Sequence, residues 1–475
     1  MVFSSVVFLF LFLPLVLAGN AFLPKYFRNS FLLLASLLFY FWGEMELIFV
    51  IIISILINYS IGIAVDKVRS KAKLILLIGV LANFLILFYY KYFQFFLDNI
   101  NSVFGYEGNE ALVLEGVRLP MGISFFTFQG VSYVIDVYRK EAKAELNPIN
   151  IGLYVALFPQ LIAGPIVRYN TIMDQIKERT TSFEKLYEGV LRFVTGFSKK
   201  IIIANSLAQV ADSIFSTDID VISSPLAWLG IICYALQIFF DFSGYSDMAI
   251  GLGKILGFDF EENFNFPYVS KSIKEFWRRW HISLSTWFRD YLYIPLGGSR
   301  KGNLRTYFNL FIVFLATGFW HGASWSFIFW GLFHGGFLIL EKLGLDNHLK
   351  KLYAPFQHLY VLILVLIGWV YFRVEDFFDA SSYVFSMFSF KGMESFVWDD
   401  YMNNYTTFTL LIGVLFSMNL NENVLILEKK LNLPDIKLYK KVKLGLFLLV
   451  VLIAFYFSVS EIANNTYNPF IYFRF

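Results

Sequence analysis

Long apolar runs broken by short polar stretches dominate the chain, and their lengths predict helices. Such runs fall near 3–22, 31–43, 47–65, 74–90, 120–136, 201–216, 224–256, 356–374, 405–420 and 444–459. Several approach or exceed the roughly 20 residues that a helix needs to cross a bilayer. Two stretches depart from this plain pattern. Ile149–Val167 contains Pro159, Gly164 and Pro165 and is followed by basic residues, so it predicts a re-entrant segment near 149–167. Broken helices at membrane depth are tolerated where they line a protein-enclosed cavity. Thr306–Leu340, 35 residues long, exceeds one straight span and predicts two arms meeting near Gly318–Ser324.

Charge gives these helices a direction, because Lys and Arg concentrate in cytoplasmic loops. Lys67, Arg69, Lys71 and Lys73 place Asp66–Lys73 inside, which puts Lys25 and Arg28 inside and Glu44 and Glu46 outside. Asp98–Glu115 is then outside, and Arg139, Lys140 and Lys143 are inside. The basic stretch Arg168, Lys177, Arg179, Lys185, Arg192, Lys199 and Lys200 reads as a cytoplasmic loop, as does the charged block Phe258–Arg305. The acidic stretch Glu375–Asp400 falls outside and the cluster Lys429–Lys443 inside. Both termini are expected on the outer side of the membrane, with roughly 12 crossings in one membrane domain, 1–475. The N-terminal run lacks the positive leader of a signal peptide and reads as a first membrane helix.

Composition agrees with the pattern. The 475 residues are 57% hydrophobic and 16% charged, with a mean hydropathy of +0.61, whereas a soluble domain is about 25% charged. The fold class expected is an all-α polytopic membrane protein embedded in the lipid bilayer. The net charge of +3 gives no reason to expect a nucleic acid partner. The single cysteine, Cys233, excludes a disulfide framework and a CxxC metal site and reads as a packing residue.

Candidate chemistry lies in the polar residues that interrupt apolar sequence. His321 sits in TGFWHGASW, in the middle of the 35-residue run. Ionisable groups at membrane depth are costly, and a neutral imidazole can accept a proton from a hydroxyl. Trp320 and Trp325 flank it, Gly318 and Gly322 allow close packing, and Ser324 offers a hydroxyl. The alternative is a histidine hydrogen-bonded between helices for stability. His334 follows at a spacing that turns it about 220° away on a straight helix. No HExxH or CxxC spacing is present, so no metal is expected. His348 and His358 lie in polar or interfacial sequence. His281 falls in EFWRRWHISLSTWFRDYLYIPLGGSR, residues 275–300, where Arg278, Arg279, Arg289 and Arg300 alternate with aromatic residues. This reads as an amphipathic interfacial helix, and its arginines suit a phosphorylated donor. Asp241 and Asp247 are buried in FFDFSGYSDMAIGLG and need partners, as orienters of a histidine, partners of an arginine or members of a structural ion pair.

Taken together, several stretches resemble the membrane-bound O-acyltransferase family (MBOAT), in particular its bacterial alginate O-acetyltransferase-like branch. They are the opening MVFSSVVFLFLFLP, PMGISFFTFQGVSYVIDVYR at 120–139, FPQLIAGPIVRY at 158–169, QIFFDFSGYSDMAIGLG at 237–253, NFNFPYVSKSIKEFWRRWHISLSTWFRDYLYIPLGGSR at 263–300 and GFWHGASWSFIFWGLFHG at 318–335. The chain also resembles the membrane component that O-acetylates peptidoglycan. The resemblance implies a ring of tilted helices with re-entrant segments around a central tunnel. It implies that His321 matches the family's catalytic histidine and that His281 matches its second, more variable polar position. It further implies acetyl-CoA as cytoplasmic donor and an exported polysaccharide, alginate-like or peptidoglycan, as acceptor. An extracytoplasmic partner resembling an SGNH esterase would complete the transfer. Arg278, Arg279, Arg289 and Arg300 are the candidates to hold the donor's phosphates. Trp320, Ser324, Trp325, Asp241 and His334 would shape or support the pocket. The competing classes are a transporter or channel for a polar solute and an acyltransferase fed by a carrier-protein thioester.

Overall fold

The computed structural model describes residues 2–114, 116–394, 396–419, 428, 430, 437–464 and 467–471. All regular elements among the described residues are helical. The N-terminal run forms α1 (Phe8–Phe22). The next run divides into α2 (Lys25–Glu44) and α3 (Ile48–Lys67), reversing at Met45, where φ is +45°. The fourth helix, α4 (Arg69–Phe104), runs well past its expected end near residue 90. It carries Asp98 on a helix and contains a π-turn at Phe88–Tyr92. The helix α5 (Ile123–Arg139) is nearly all buried.

The Pro- and Gly-interrupted segment is broken as expected. It comprises α6 (Pro148–Ala156), a helical turn at Phe158–Leu161 and an extended stretch to 168, with residues 150–167 all buried. Two of its amide groups are satisfied by side chains of other segments: Ile166 N donates to Ser283 Oγ at 3.0 Å and Phe158 N to Ser36 Oγ at 3.1 Å. After α7 (Tyr169–Lys177), residues 183–215 form one helix, α8. This corrects the reading of Lys199 and Lys200 as loop charges. They lie within α8, and their ammonium groups are neutralised by carboxylates of the next helix rather than by water.

That next helix, α9 (Ser224–Leu256), is the interior axis of the molecule. The apolar window of α9 is 89% buried, against 6% for the C-terminal helix, so its polar residues face protein and not lipid. Asp241 Oδ1 pairs with Lys200 Nζ at 2.8 Å, and Asp247 pairs with Arg192 and Lys199, both at 2.6 Å. Asp241 therefore holds a lysine, not an arginine or a histidine.

Residues 275–300, expected as one amphipathic interfacial helix, are instead broken. Two short helices, α10 (Ile273–Arg279) and α11 (Ile282–Phe288), are separated by a break at Trp280–His281. The 35-residue run then forms the expected hairpin, α12 (Asn303–His321) and α13 (Trp325–Leu340), turning at Gly322–Ser324. The two arms approach closely at Gly318 and Gly331, where an added Cβ would overlap backbone of the other arm. The chain continues through α14 (Ala354–Arg373), α15 (Phe377–Phe388), α16 (Asn404–Ser417) and α17 (Lys437–Asn464). Glu115, most of 429–436 in the expected Lys429–Lys443 cluster, and residues 472–475 lie outside the described residues.

Among the described residues, six stretches are long and apolar enough to cross a membrane, and one of them, Lys25–Lys67, contains two helices. The protein is an all-helical, multi-pass membrane protein.

Candidate active site

His321 is the last residue of α12 and is buried. Its ring packs edge-on against Trp320, Trp330 and Phe372, with centroids 4.9, 4.9 and 5.0 Å away. Neither ring nitrogen has a hydrogen-bond partner among the described residues. A buried imidazole without partners loses its hydration with nothing in return, so its nitrogens are held open for something that the protein alone does not supply. The histidine hydrogen-bonded between helices, the alternative open from sequence, is not what the structure contains.

Two small cavities lie near this ring, the first lined by it and the second set off from it by Phe372. One, about 10 Å³, is lined by Lys91, Gly122, Ser124, Phe125, Ile162, Trp320 and His321. That volume is of the order of one water. Ile162 belongs to the broken segment, which thus lines a protein-enclosed cavity as its sequence predicts. The second cavity, about 40 Å³, lies beyond Phe327 and Phe372 and opens past Asp212, Arg373 and Glu375. Phe372 contacts both His321 and Phe327.

Around His321 the expected neighbours are partly replaced. Trp325 is the first residue of α13, 58% exposed, with its Nε1 bonded to Asn99 Oδ1 at 3.1 Å. The hairpin turn aims it outward, and Trp330, more than a turn further along, supplies the second aromatic wall. Ser324 is the N-cap of α13, its Oγ accepting from Phe327 N at 3.4 Å, an ordinary capping role. The hydroxyl that shares the His321 cavity is that of Ser124. His334 is buried against Trp277, Trp330 and Phe276 and is separated from His321 by the Trp330 ring.

His281 is joined to His321 through Trp320, with ring centroids 6.0 Å apart for His281–Trp320. It is fully buried and in a left-handed conformation, φ +44°, which is uncommon for a residue with a side chain. Asn263 holds it there. Asn263 Oδ1 accepts from Ser283 N at 3.2 Å and Ser283 Oγ at 2.8 Å, and it lies 3.1 Å from His281 Nδ1. A backbone N–H can only donate, so Oδ1 is the acceptor and Nδ1 carries the hydrogen. The neutral ring then presents Nε2 as a bare acceptor, and Nε2 has no partner among the described residues.

The four arginines do not converge. Arg278 and Arg279 line an open cleft of about 480 Å³ with Lys274, Lys350, Asn265 and Ser272. Arg279 also pairs with Glu275 at 2.8 Å. Arg289 is exposed and bonded to Asp290 at 2.7 Å, a contact that holds its guanidinium above its ordinary pKa. Asp290 in turn binds Arg168 at 2.7 Å. Arg300 is exposed and lies outside the cleft. The cleft is backed by the same loop as His281, since Asn265 N donates to Arg279 O at 2.9 Å two residues from Asn263. Asp241 lies by the second cavity, accepting Ile471 N at 2.9 Å. No group of three or more His, Cys, Asp or Glu side chains able to hold a metal gathers among the described residues.

Sequence reasoning passed over Lys91 and Asn263. Lys91 carries a readable signal, a cation inside the apolar run FLILFYYKYFQFFL, whereas Asn263 sits in plainly polar sequence.

His321 is thus a buried histidine lining a small cavity in an all-helical membrane body, with no hydrogen-bond partner among the described residues. Comparison with known proteins specifies the class. Residues 37–373 match the model of the membrane-bound O-acyltransferase family, and the chain belongs to that family. It is 42% identical to a probable alginate O-acetylase, AlgI, of Pseudomonas putida over the whole of both chains. It is 35% identical to a peptidoglycan O-acetyltransferase of Helicobacter pylori, over 83% of this chain and 81% of that one. A teichoic acid D-alanyltransferase of Bacillus subtilis is 32% identical over 45% of this chain and 56% of its own.

Proposed function

We propose that this protein is an acetyltransferase that carries acetyl from cytoplasmic acetyl-CoA to a hydroxyl acceptor through the membrane, for O-acetylation of an exported polysaccharide. The carrying observation is His321, buried, without hydrogen-bond partners among the described residues and lining a small cavity. His321 takes the acceptor's proton as its oxygen attacks the thioester carbonyl, and returns it to the departing thiolate. Trp320 walls the passage, and His281, through Nε2, positions the donor. The cleft at Arg278 and Arg279 holds the donor's phosphates, with Lys274 beside them. Arg289 and Arg300 are left as peripheral attraction. The chain acts as one inner-membrane domain over residues 1–475, with periplasmic termini, and passes acetyl to an SGNH-esterase-like partner. Similarity to both an alginate and a peptidoglycan enzyme supports a polysaccharide acceptor of either kind.

Purified protein incubated with radiolabelled acetyl-CoA and the partner should label the polymer. His321→Ala should lower the rate by about 10²–10⁴, the usual worth of a positioned base, while the protein still reaches the membrane. Full activity in that variant would remove His321 from the chemistry. Solute flux that ignores acetyl-CoA would instead indicate a transporter.

A further inference from the structure

Lys91 has no carboxylate partner among the described residues. Three lysines within α8 and α9, Lys199, Lys200 and Lys254, each hold an Asp or Glu oxygen at 2.5–2.8 Å. Lys91 has only neutral partners among the described residues: its Nζ donates to Trp320 O at 2.6 Å and to Ser124 Oγ at 3.1 Å, and lies 5.8 Å from the centre of the Trp320 ring. An ammonium has three N–H donors, so one is unspent. Placing a charge at this depth without a counter-ion is costly.

Part of that cost is offset by the end of α12. The last carbonyls of a helix lack intrahelical partners and carry the negative end of its dipole. Tyr92 OH takes Phe319 O at 2.8 Å and Lys91 takes Trp320 O, the residue before His321. A neutral donor serves Phe319, however, so capping alone gives no reason for a full charge at Trp320. The π-turn at Phe88–Tyr92 delivers Lys91 to the cavity it shares with His321. Such turns occur often at functional sites.

We propose that Lys91 is a catalytic residue whose third N–H binds the oxyanion formed at His321. The proposal rests on the acyl-transfer reading above. When the acceptor oxygen bonds to the thioester carbon, the C=O electron pair moves onto oxygen, and that oxygen accepts a hydrogen bond from Nζ. Collapse of the intermediate restores C=O, breaks C–S and sends the proton from His321 to the thiolate. Lys91 neither gains nor loses a proton in the cycle. The transient negative charge is the counter-ion that the folded protein lacks.

Turnover per folded molecule is measured for the wild type, His321→Ala, Lys91→Met, Lys91→Gln, Lys91→Arg and Tyr92→Phe, alongside thermal stability in detergent. Loss of one preorganised oxyanion donor should lower kcat in Lys91→Met and Lys91→Gln by about 10²–10³, with the donor's KM changed less than about threefold. Lys91→Arg should recover part of the loss, and Tyr92→Phe should lose stability with little change in kcat. Wild-type kcat in folded Lys91→Met or Lys91→Gln overturns the proposal. Failure of both variants to fold while Lys91→Arg folds with unaltered kcat also overturns it, leaving Lys91 as a helix cap. A wild-type protein that transfers no acetyl strikes the acyl-transfer reading itself, whereas an active wild type with indifferent Lys91 variants strikes only this inference.

Discussion

Asn263 decides which nitrogen of His281 carries the hydrogen, through an oxygen whose role is fixed by a backbone amide. Replacing it with Leu should leave Ser283 N unsatisfied, at about 1–3 kcal/mol, and free the ring to change tautomer. Acetyl transfer should fall about 10²-fold if His281 acts through Nε2, measured per folded protein, while Ser246→Ala, which removes only the far hydrogen bond of Asn263, should have a small effect. His321 stands out in sequence because a histidine in a long apolar run is conspicuous at once. The identity of its walls does not, because Trp320, Trp325 and Trp330 are alike until the turn aims one outward. Lys91 is equally conspicuous, and only its lack of a carboxylate, which is a tertiary fact, gives it meaning.

At the scale of elements, glycines seven apart set a close contact between α8 and α9. Gly189 and Gly196 on α8 meet Gly251 and Gly244 on α9 in antiparallel register, and an added Cβ on any of the four would strike backbone of the other helix. Small residues at such crossings let membrane helices pack backbone to backbone. This closeness also brings Lys199 and Arg192 onto Asp247. Gly196→Leu should therefore destabilise the detergent-solubilised protein by at least about 1–3 kcal/mol, the range for overpacking, and lower its melting temperature, while Gly445→Leu, in open space on α17, should not. Helix positions, the broken segment and the hairpin were legible from apolar length and from Pro and Gly. The start of α8 was not, since lysines that pair inside the protein look like loop charges in sequence, nor was the end of α4, since Asp98 reads as a loop residue although the helix runs to Phe104.

Across the whole molecule, the buried pair Lys200–Asp241 joins α8 and α9 to the segment 467–471. Ile471 N donates to Asp241, Lys200 to Pro469 O, and Phe470 stacks on Tyr245 at 4.5 Å. Asp241→Leu leaves Lys200 charged in the interior and should cost about 3–5 kcal/mol, read as loss of denaturant resistance. Lys200→Met added to it should recover much of the loss, since no lone charge remains. Sequence by itself determined the all-helical membrane class, the hairpin and the histidine at its turn, because apolar run length and a polar group in apolar surroundings are local properties of the chain. Only tertiary structure decided which carboxylate each buried cation meets, which tryptophan walls His321, and that Lys91 meets none among the described residues, because those depend on where distant helices cross.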